Sequence, residues 1–278
     1  MRLNLRLKIG LSILTVFVLG SLILPLFNEV YPSKQGAYRK NLPMSREHLL
    51  GTNSLGQDIS WFLIFAVRNS LLLGVAVSLC TSFLSLIIGL SAGYIRGWFD
   101  RVVMLVTDSF VCIPSFPILI VLGTLFRGSA RFSILGIILV VFGWAWNART
   151  VRSMALSLRE RDFIGTAKYS GTSTLAIILK EIFPYVYGYG IVGFINSILW
   201  VINTEAALAV IGLSNLETPT LGSIIFWALN YNAMFTGQYA WVVAPVVATS
   251  LLFLGLFLTS TGYNDLFSAR RGRIHDQA

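Results

Sequence analysis

The sequence predicts an all-α polytopic membrane protein, and three observations predict it. Of 278 residues, 55% are hydrophobic and only 12% charged, which is too apolar for a soluble domain of this length. The apolar residues gather into long runs with few charges, each able to cross a bilayer. The basic excess, a formal +9, sits beside those runs, where it sets topology and meets anionic lipid instead of nucleic acid.

The chain begins with a short basic stretch, Arg2, Arg6 and Lys8, and a charge-free run from Ile9 to Phe27. A cleaved signal peptide fails on the length of that run and on Pro25-Leu26-Phe27-Asn28, which offers no small-residue cleavage site. Residues 1–27 therefore read as a cytoplasmic N-terminus and an anchor helix that stays. Residues 28–69 are mixed and polar and form an extracytoplasmic segment, in which Gly51, Gly56 and Asp58 suit a tight turn with a carboxylate capping free amides.

Residues 70–260 hold five further spans. The first, Ser70 to Gly93, carries Gly89 and Gly93 as a GxxxG that permits close helix approach. The next, Val102 to Phe126, contains Asp108 and the pair Pro114 and Pro117; the prolines should kink it into a lining for a path. An acid inside a span faces protein or water, so Asp108 bonds a neighbouring helix, lies near the cytoplasmic end or serves a gate. A short outer loop from Arg127 to Arg131 leads to Phe132–Ala148. Tyr185 to Ile211 is interrupted by Asn196, Asn203 and Glu205, which cannot all face lipid, so this helix should line the shared interior. Gln238 to Ser260 is the sixth span, and residues 261–278, with Arg270, Arg271 and Arg273, form a cytoplasmic tail. With both termini inside, fourteen basic residues fall in inner segments and seven in outer ones, the bias expected of six spans.

The long polar island between spans runs from residue 149 to 184. Apolar positions Met154, Ala155, Leu158, Phe163 and Ala167, then Leu175, Ile178, Leu179 and Ile182, recur at helical steps, which predicts two short amphipathic helices broken at Gly171 and closed by Pro184. Such a hairpin has a face free to dock elsewhere.

Cys80 and Cys112 both fall in spans, so neither a disulfide framework nor a metal site is expected. His48 and His275 are the only histidines, and no GxxxxGK[ST] phosphate loop occurs, so no catalytic site is expected and any ATP must be bound by another chain. The stretch from Trp227 to Trp241 is rich in aromatics and amides, and suits either a sugar or an interfacial belt.

Four stretches carry a family resemblance. His48-Leu49-Leu50-Gly51-Thr52-Asn53-Ser54-Leu55-Gly56-Gln57-Asp58, with Arg68-Asn69-Ser70-Leu71, resembles the HPLGTDxxGRD and RxSL segments of C-type permeases in dipeptide, oligopeptide and nickel importers, with Leu49, Asn53 and Gln57 departing from the pattern. Gly93 to Asp100 is similar to that family's GYxGGxxD turn. Glu205, Ile211-Gly212-Leu213-Ser214 and Pro219 to Gly222 resemble its ExxLSFLGLG and following P and WG positions. Gly165-Thr166-Ala167, Gly171 and Phe183-Pro184 resemble the EAA loop of ABC importer permeases, with Gly165 where the family has Glu and Phe183 where it has Leu.

The resemblance implies a type I ABC importer fold, with Gly165, Thr166, Ala167, Gly171, Phe183 and Pro184 docking on an ATPase; Asp108, Pro114, Asn203 and Glu205 are the candidates for the path or gate. It also implies a second homologous permease, cytosolic ATPase subunits that carry ATP and Mg, and an extracytoplasmic solute-binding protein, all at a bacterial or archaeal inner membrane. This chain itself would hold no cofactor and bind no nucleic acid; the solute would be a peptide or an oligosaccharide. A secondary transporter or channel would need no docking hairpin, and an ABC exporter would carry long cytoplasmic helix extensions or a fused ATPase, neither of which is found.

Overall fold

A computed structural model describes residues 4–27, 31–125 and 132–275, with side chains at all of these except 132 and 268–275. The expected outer loop at Arg127 to Arg131 and Arg2 lie outside the described residues, as do the side chains of Arg270, Arg271 and Arg273. The architecture is all-α. Among the described residues five helical stretches are long and apolar enough to cross a membrane, and a sharply bent pair of helices reaches that length only when the two are taken together.

Helix α1, Leu5–Ile23, starts at Asn4, whose side chain accepts from the Arg6 amide. It packs antiparallel on α11, Tyr239–His275, because small residues let the backbones meet. A Cβ at Gly10 would fall 2.6 Å from Thr259, and one at Gly262 2.7 Å from the Leu7 amide nitrogen. Asp265 then takes Asn4 Nδ2 at 3.1 Å and Arg6 at 3.4 Å. The expected sixth span stops at Ser260; the helix in fact runs on to His275, so the expected tail is largely its continuation.

Residues 31–58 form a compact segment against one end of the bundle. Gly51 and Gly56 sit at φ 77° and 72°, as the tight turn requires. Asp58 Oδ1 accepts from the amides of Ser60 and Trp61, and Oδ2 lies 2.6 Å from His48 Nδ1. That cap starts α2, Ile59–Ile95, well before the expected Ser70, so residues 59–69 are helical. The polar residues that argued against a span there lie in its first turns, where Asn69 donates to the Pro219 carbonyl.

Helices α3, Gly97–Cys112, and α4, Ser115–Leu125, meet at 79°. The kink expected in one span is thus a full break. Pro114 forces Ile113 into an extended conformation, and Pro117 fits in the first turn of α4, where no amide is needed. Helices α5, Phe132–Gly143, and α6, Ala145–Arg159, are interrupted only at Trp144. Here α2 and α6 touch at backbone distance. A Cβ on Gly89 would meet the Ala148 carbonyl oxygen at 2.6 Å, and one on Gly93 would meet Ala155 Cβ at 2.6 Å, the close approach that the GxxxG predicts.

The polar island departs from two helices in two ways. Its first part is the end of α6, which stops at Arg159; a separate α7, Asp162–Tyr169, follows. After Gly171, at φ 76°, Ser173 caps the short α8, Thr174–Ala176. Pro184 does not end this helix. The chain passes through a π turn, Ile177–Ile182, straight into α9, Phe183–Val210. The wider turn lets the Phe183 amide bond the Ile178 carbonyl, absorbing the donor that Pro184 lacks. Helix α10, Leu221–Asn230, completes the fold, opened by a capping box of Thr220 and Ser223.

Candidate functional site

Two features stand out at different levels of the bundle. The first is the hairpin, at the end opposite residues 31–58. Ile164 of α7 is buried with Leu90, Val151, Ile177, Ile178 and Ile182, and Ala167 packs against this cluster. Docked by that inner face, the hairpin turns its other side outward. Tyr169 is 94% exposed, and Leu175, Leu179 and Phe183 are exposed too, among Arg161, Lys168 and Lys180. Thr166 is exposed, its hydroxyl donating to the Asp162 carbonyl. Gly165 has open space where a Cβ would stand. Gly171 reverses the chain after α7, with its own amide bonded to Lys168 and that of Thr172 to Ala167. Uncovered apolar side chains of this size, beside cations, are the kind of surface that meets another protein or a membrane.

The base of the hairpin is fastened by charge. Arg152 Nε and Nη2 donate to the two oxygens of Asp100 at 2.5 and 2.6 Å, a bidentate pair between α6 and α3. Arg96 meets Glu160 at 3.0 Å, and the Arg159 guanidinium lies over the Tyr94 ring. Sequence reasoning noticed the Gly93 to Asp100 turn but not this pairing; a lone acid three residues after a Gly was the available signal.

The second feature is a cleft of about 350 Å³ where three helices are interrupted or polar. It is framed by the α3–α4 break, the α5–α6 junction and the middle of α9. Phe110, Phe142, Trp146 and Trp200 line it together with the amides of Asn147 and Asn196. Asn147 Nδ2 donates to Ser197 Oγ at 3.1 Å, and its Oδ1 accepts from Tyr189 at 3.4 Å. Asn196 Oδ1 accepts from Ser260 Oγ at 2.9 Å.

The four residues singled out for a path or gate are not brought together. Pro114 stands at the break, between the cleft residues Ile113 and Ser115. Asp108, half exposed, pairs with Arg149 at 3.4 Å and links α3 to α6. Asn203 is exposed on α9, two turns beyond Asn196 on the same face. Glu205 points the other way and is fully buried. Its Oε1 accepts from Ser214 and Thr220, both at 2.9 Å, and its Oε2 has no partner among the described residues. Glu205 thus ties α9 to the loop that precedes α10. Sequence reasoning missed Asn147, Ser197 and Tyr189, because each sits in an apolar run where one polar residue gives no periodic signal.

The aromatic stretch from Trp227 to Trp241 is divided between packed and open rings, with Phe235 and Tyr239 exposed. Trp241 is buried, its ring 6.0 Å from that of Tyr231, and Trp227 Nε1 donates to the Leu216 carbonyl.

Residues 85–273 match the model of a family described as binding-protein-dependent transport system inner membrane component. The chain is 32% identical over 238 residues to the oligopeptide transport system permease protein OppC of Mycobacterium tuberculosis, covering 83% of this chain and 80% of the relative. It is 33% identical over 217 residues to OppC of Lactococcus lactis, covering 78% and 74%. A Brucella suis chain described as a peptide transport system permease protein is 29% identical over 268 residues, covering 95% and 87%.

Proposed function

The chain belongs to the binding-protein-dependent transport system inner membrane components, and from that premise we propose that it passes oligopeptides through the membrane as one of two permeases, driven through its hairpin by ATPase subunits. It is the permease subunit of an ABC importer, which sets aside the secondary-transporter, channel and exporter readings. The peptide solute follows the names of its relatives, which are oligopeptide transport system permeases.

The observation that carries the docking role is the outer face of the hairpin, with Tyr169, Leu175 and Leu179 exposed beside Lys168 and Lys180. The partner ATPases hold the ATP and Mg, a binding protein delivers solute to the end bearing residues 31–58, and both termini face the cytoplasm. Closure of the ATPase pair pulls on α7. The Asp100–Arg152 pair and the continuous run from α8 through the π turn to α9 hand that motion to α3, α6 and α9, whose surfaces frame the cleft. At the far end Glu205 holds the α10 entry to α9, so the two ends of α9 feel opposite partners. Asp108 with Arg149, Pro114 and Asn203 belong to the moving wall of the path.

The test is co-purification in mild detergent with the ATPase, permease and binding-protein subunits encoded beside this chain. Tyr169→Asp and Leu175→Asp, both on exposed sites, should lose the ATPases while the second permease stays bound. Retention of the ATPases by both variants would refute the docking role.

A further inference from the structure

The cleft has a chemical character that its place in a permease does not require. Its large walls are aromatic, its polar groups are amides and hydroxyls, and no described residue lining it carries a charge. Arg149, two residues beyond Asn147, is committed to Asp108, two residues before Phe110, so the nearest ion pair in sequence is neutral as a unit. Trp146 is 69% exposed and Trp200 half-buried, both at the cleft surface. Ring faces carry negative electrostatic potential and prefer apolar, aromatic or cationic neighbours to carboxylates. Asn196 uses its oxygen on Ser260, which leaves its amide nitrogen for an incoming carbonyl; Asn147 uses one N–H on Ser197 and keeps the other. A volume near 350 Å³ lies at the small end of ligand pockets, enough for a short piece of chain and not for a whole oligopeptide.

We propose that this cleft is a selectivity station of the path, where Phe110, Trp146 and Trp200 hold apolar and aromatic side chains of the passing peptide, Asn147 and Asn196 bond its backbone, and acidic side chains are disfavoured. The inference rests on the peptide-permease reading. It makes the permease, and not only the protein that delivers the solute, a determinant of which peptides cross. The contacts are weak enough singly to release the peptide, as a conducting site requires.

The test uses the whole importer in proteoliposomes with alanine-based pentapeptides bearing one central phenylalanine or glutamate. Each is supplied at a concentration that saturates the binding protein, whose affinity for both is measured separately, so that maximal uptake rates report the membrane path. The wild type should carry the phenylalanine peptide faster. Trp146→Ala should narrow the phenylalanine-to-glutamate ratio about fivefold, the factor expected for one lost aromatic contact, and Trp146→Lys should lower it further by raising glutamate uptake. Because Trp146 is exposed, neither change asks the core to repack. Trp200→Ala should act in the same direction. If the variants slow both peptides by one common factor, or change neither, the selectivity role is refuted while peptide transport stands. If the wild type carries neither peptide with ATP present, the peptide reading falls and this inference with it.

Discussion

Gly89→Ala and Gly165→Ala make the same chemical change on two helices of this chain, and the structure gives them opposite signs. Helix propensity alone favours alanine by about 1 kcal/mol at either site. At Gly165 the added Cβ meets nothing within 4 Å, so α7 keeps most of that gain. At Gly89 the Cβ would lie 2.6 Å from the Ala148 carbonyl oxygen and 2.7 Å from Val151 Cβ. Both belong to α6, and neither is the flexible end of a long side chain, so α2 and α6 must move apart. Overpacking of this kind costs about 1–3 kcal/mol. Set against the propensity gain, the net loss for Gly89→Ala reaches about 2 kcal/mol. Thermal unfolding in detergent reads the first change, and amide hydrogen exchange within α7 reads the second. Gly89→Ala should unfold at a lower temperature than wild type, and exchange in α7 should slow in Gly165→Ala. A Gly89 variant as stable as wild type would refute the backbone contact between α2 and α6.

Other side chains carry predictions of their own. Asp100→Ala leaves Arg152, 28% exposed, without its bidentate partner, and should cost about 2–3 kcal/mol, below the figure for a fully buried pair; a double-mutant cycle with Arg152→Ala should recover part of that loss, and full additivity would deny the pairing. Glu205→Ala empties a fully buried site and strands the hydroxyls of Ser214 and Thr220, so about 2–4 kcal/mol should be lost in thermal unfolding. Asp58→Ala removes the cap of α2 and should cost about 1–2 kcal/mol, with faster amide exchange at Ser60 and Trp61; unchanged exchange there would contradict the cap.

The spans were legible because long apolar runs leave few alternatives in a bilayer, and Gly89, Gly93 and Gly171 announced a close approach and a turn by what glycine alone permits. The helix start at Ile59 was half legible. Asp58 reads as a carboxylate that caps free amides, but the mixed, polar composition of residues 28–69 hides the helix behind it, and Asn69 finds its partner, Pro219, only 150 residues away. The bend at Pro114 was legible as a bend and not as 79°, since proline removes a hydrogen bond while the angle is set by what α4 packs against. The run through Pro184 was misread for a related reason: a missing donor ends a helix or widens it, and only the surrounding contacts decide. The candidate site divides in the same way. The hairpin carries a local pattern and was found; the cleft is assembled from Phe110, Asn147 and Trp200, whose meeting depends on three helices and leaves no trace in spacing.

The central claim is that force applied at the hairpin opens a path for peptide, and reconstituted transport tests it most directly. Proteoliposomes holding the importer, with ATP inside the compartment that faces the hairpin and a labelled oligopeptide on its binding protein outside, should accumulate peptide against its gradient. That uptake should vanish without ATP and in Leu175→Asp, whose exposed site leaves the fold intact. Uptake that continues without ATP, or that survives the loss of the hairpin surface, would contradict the account.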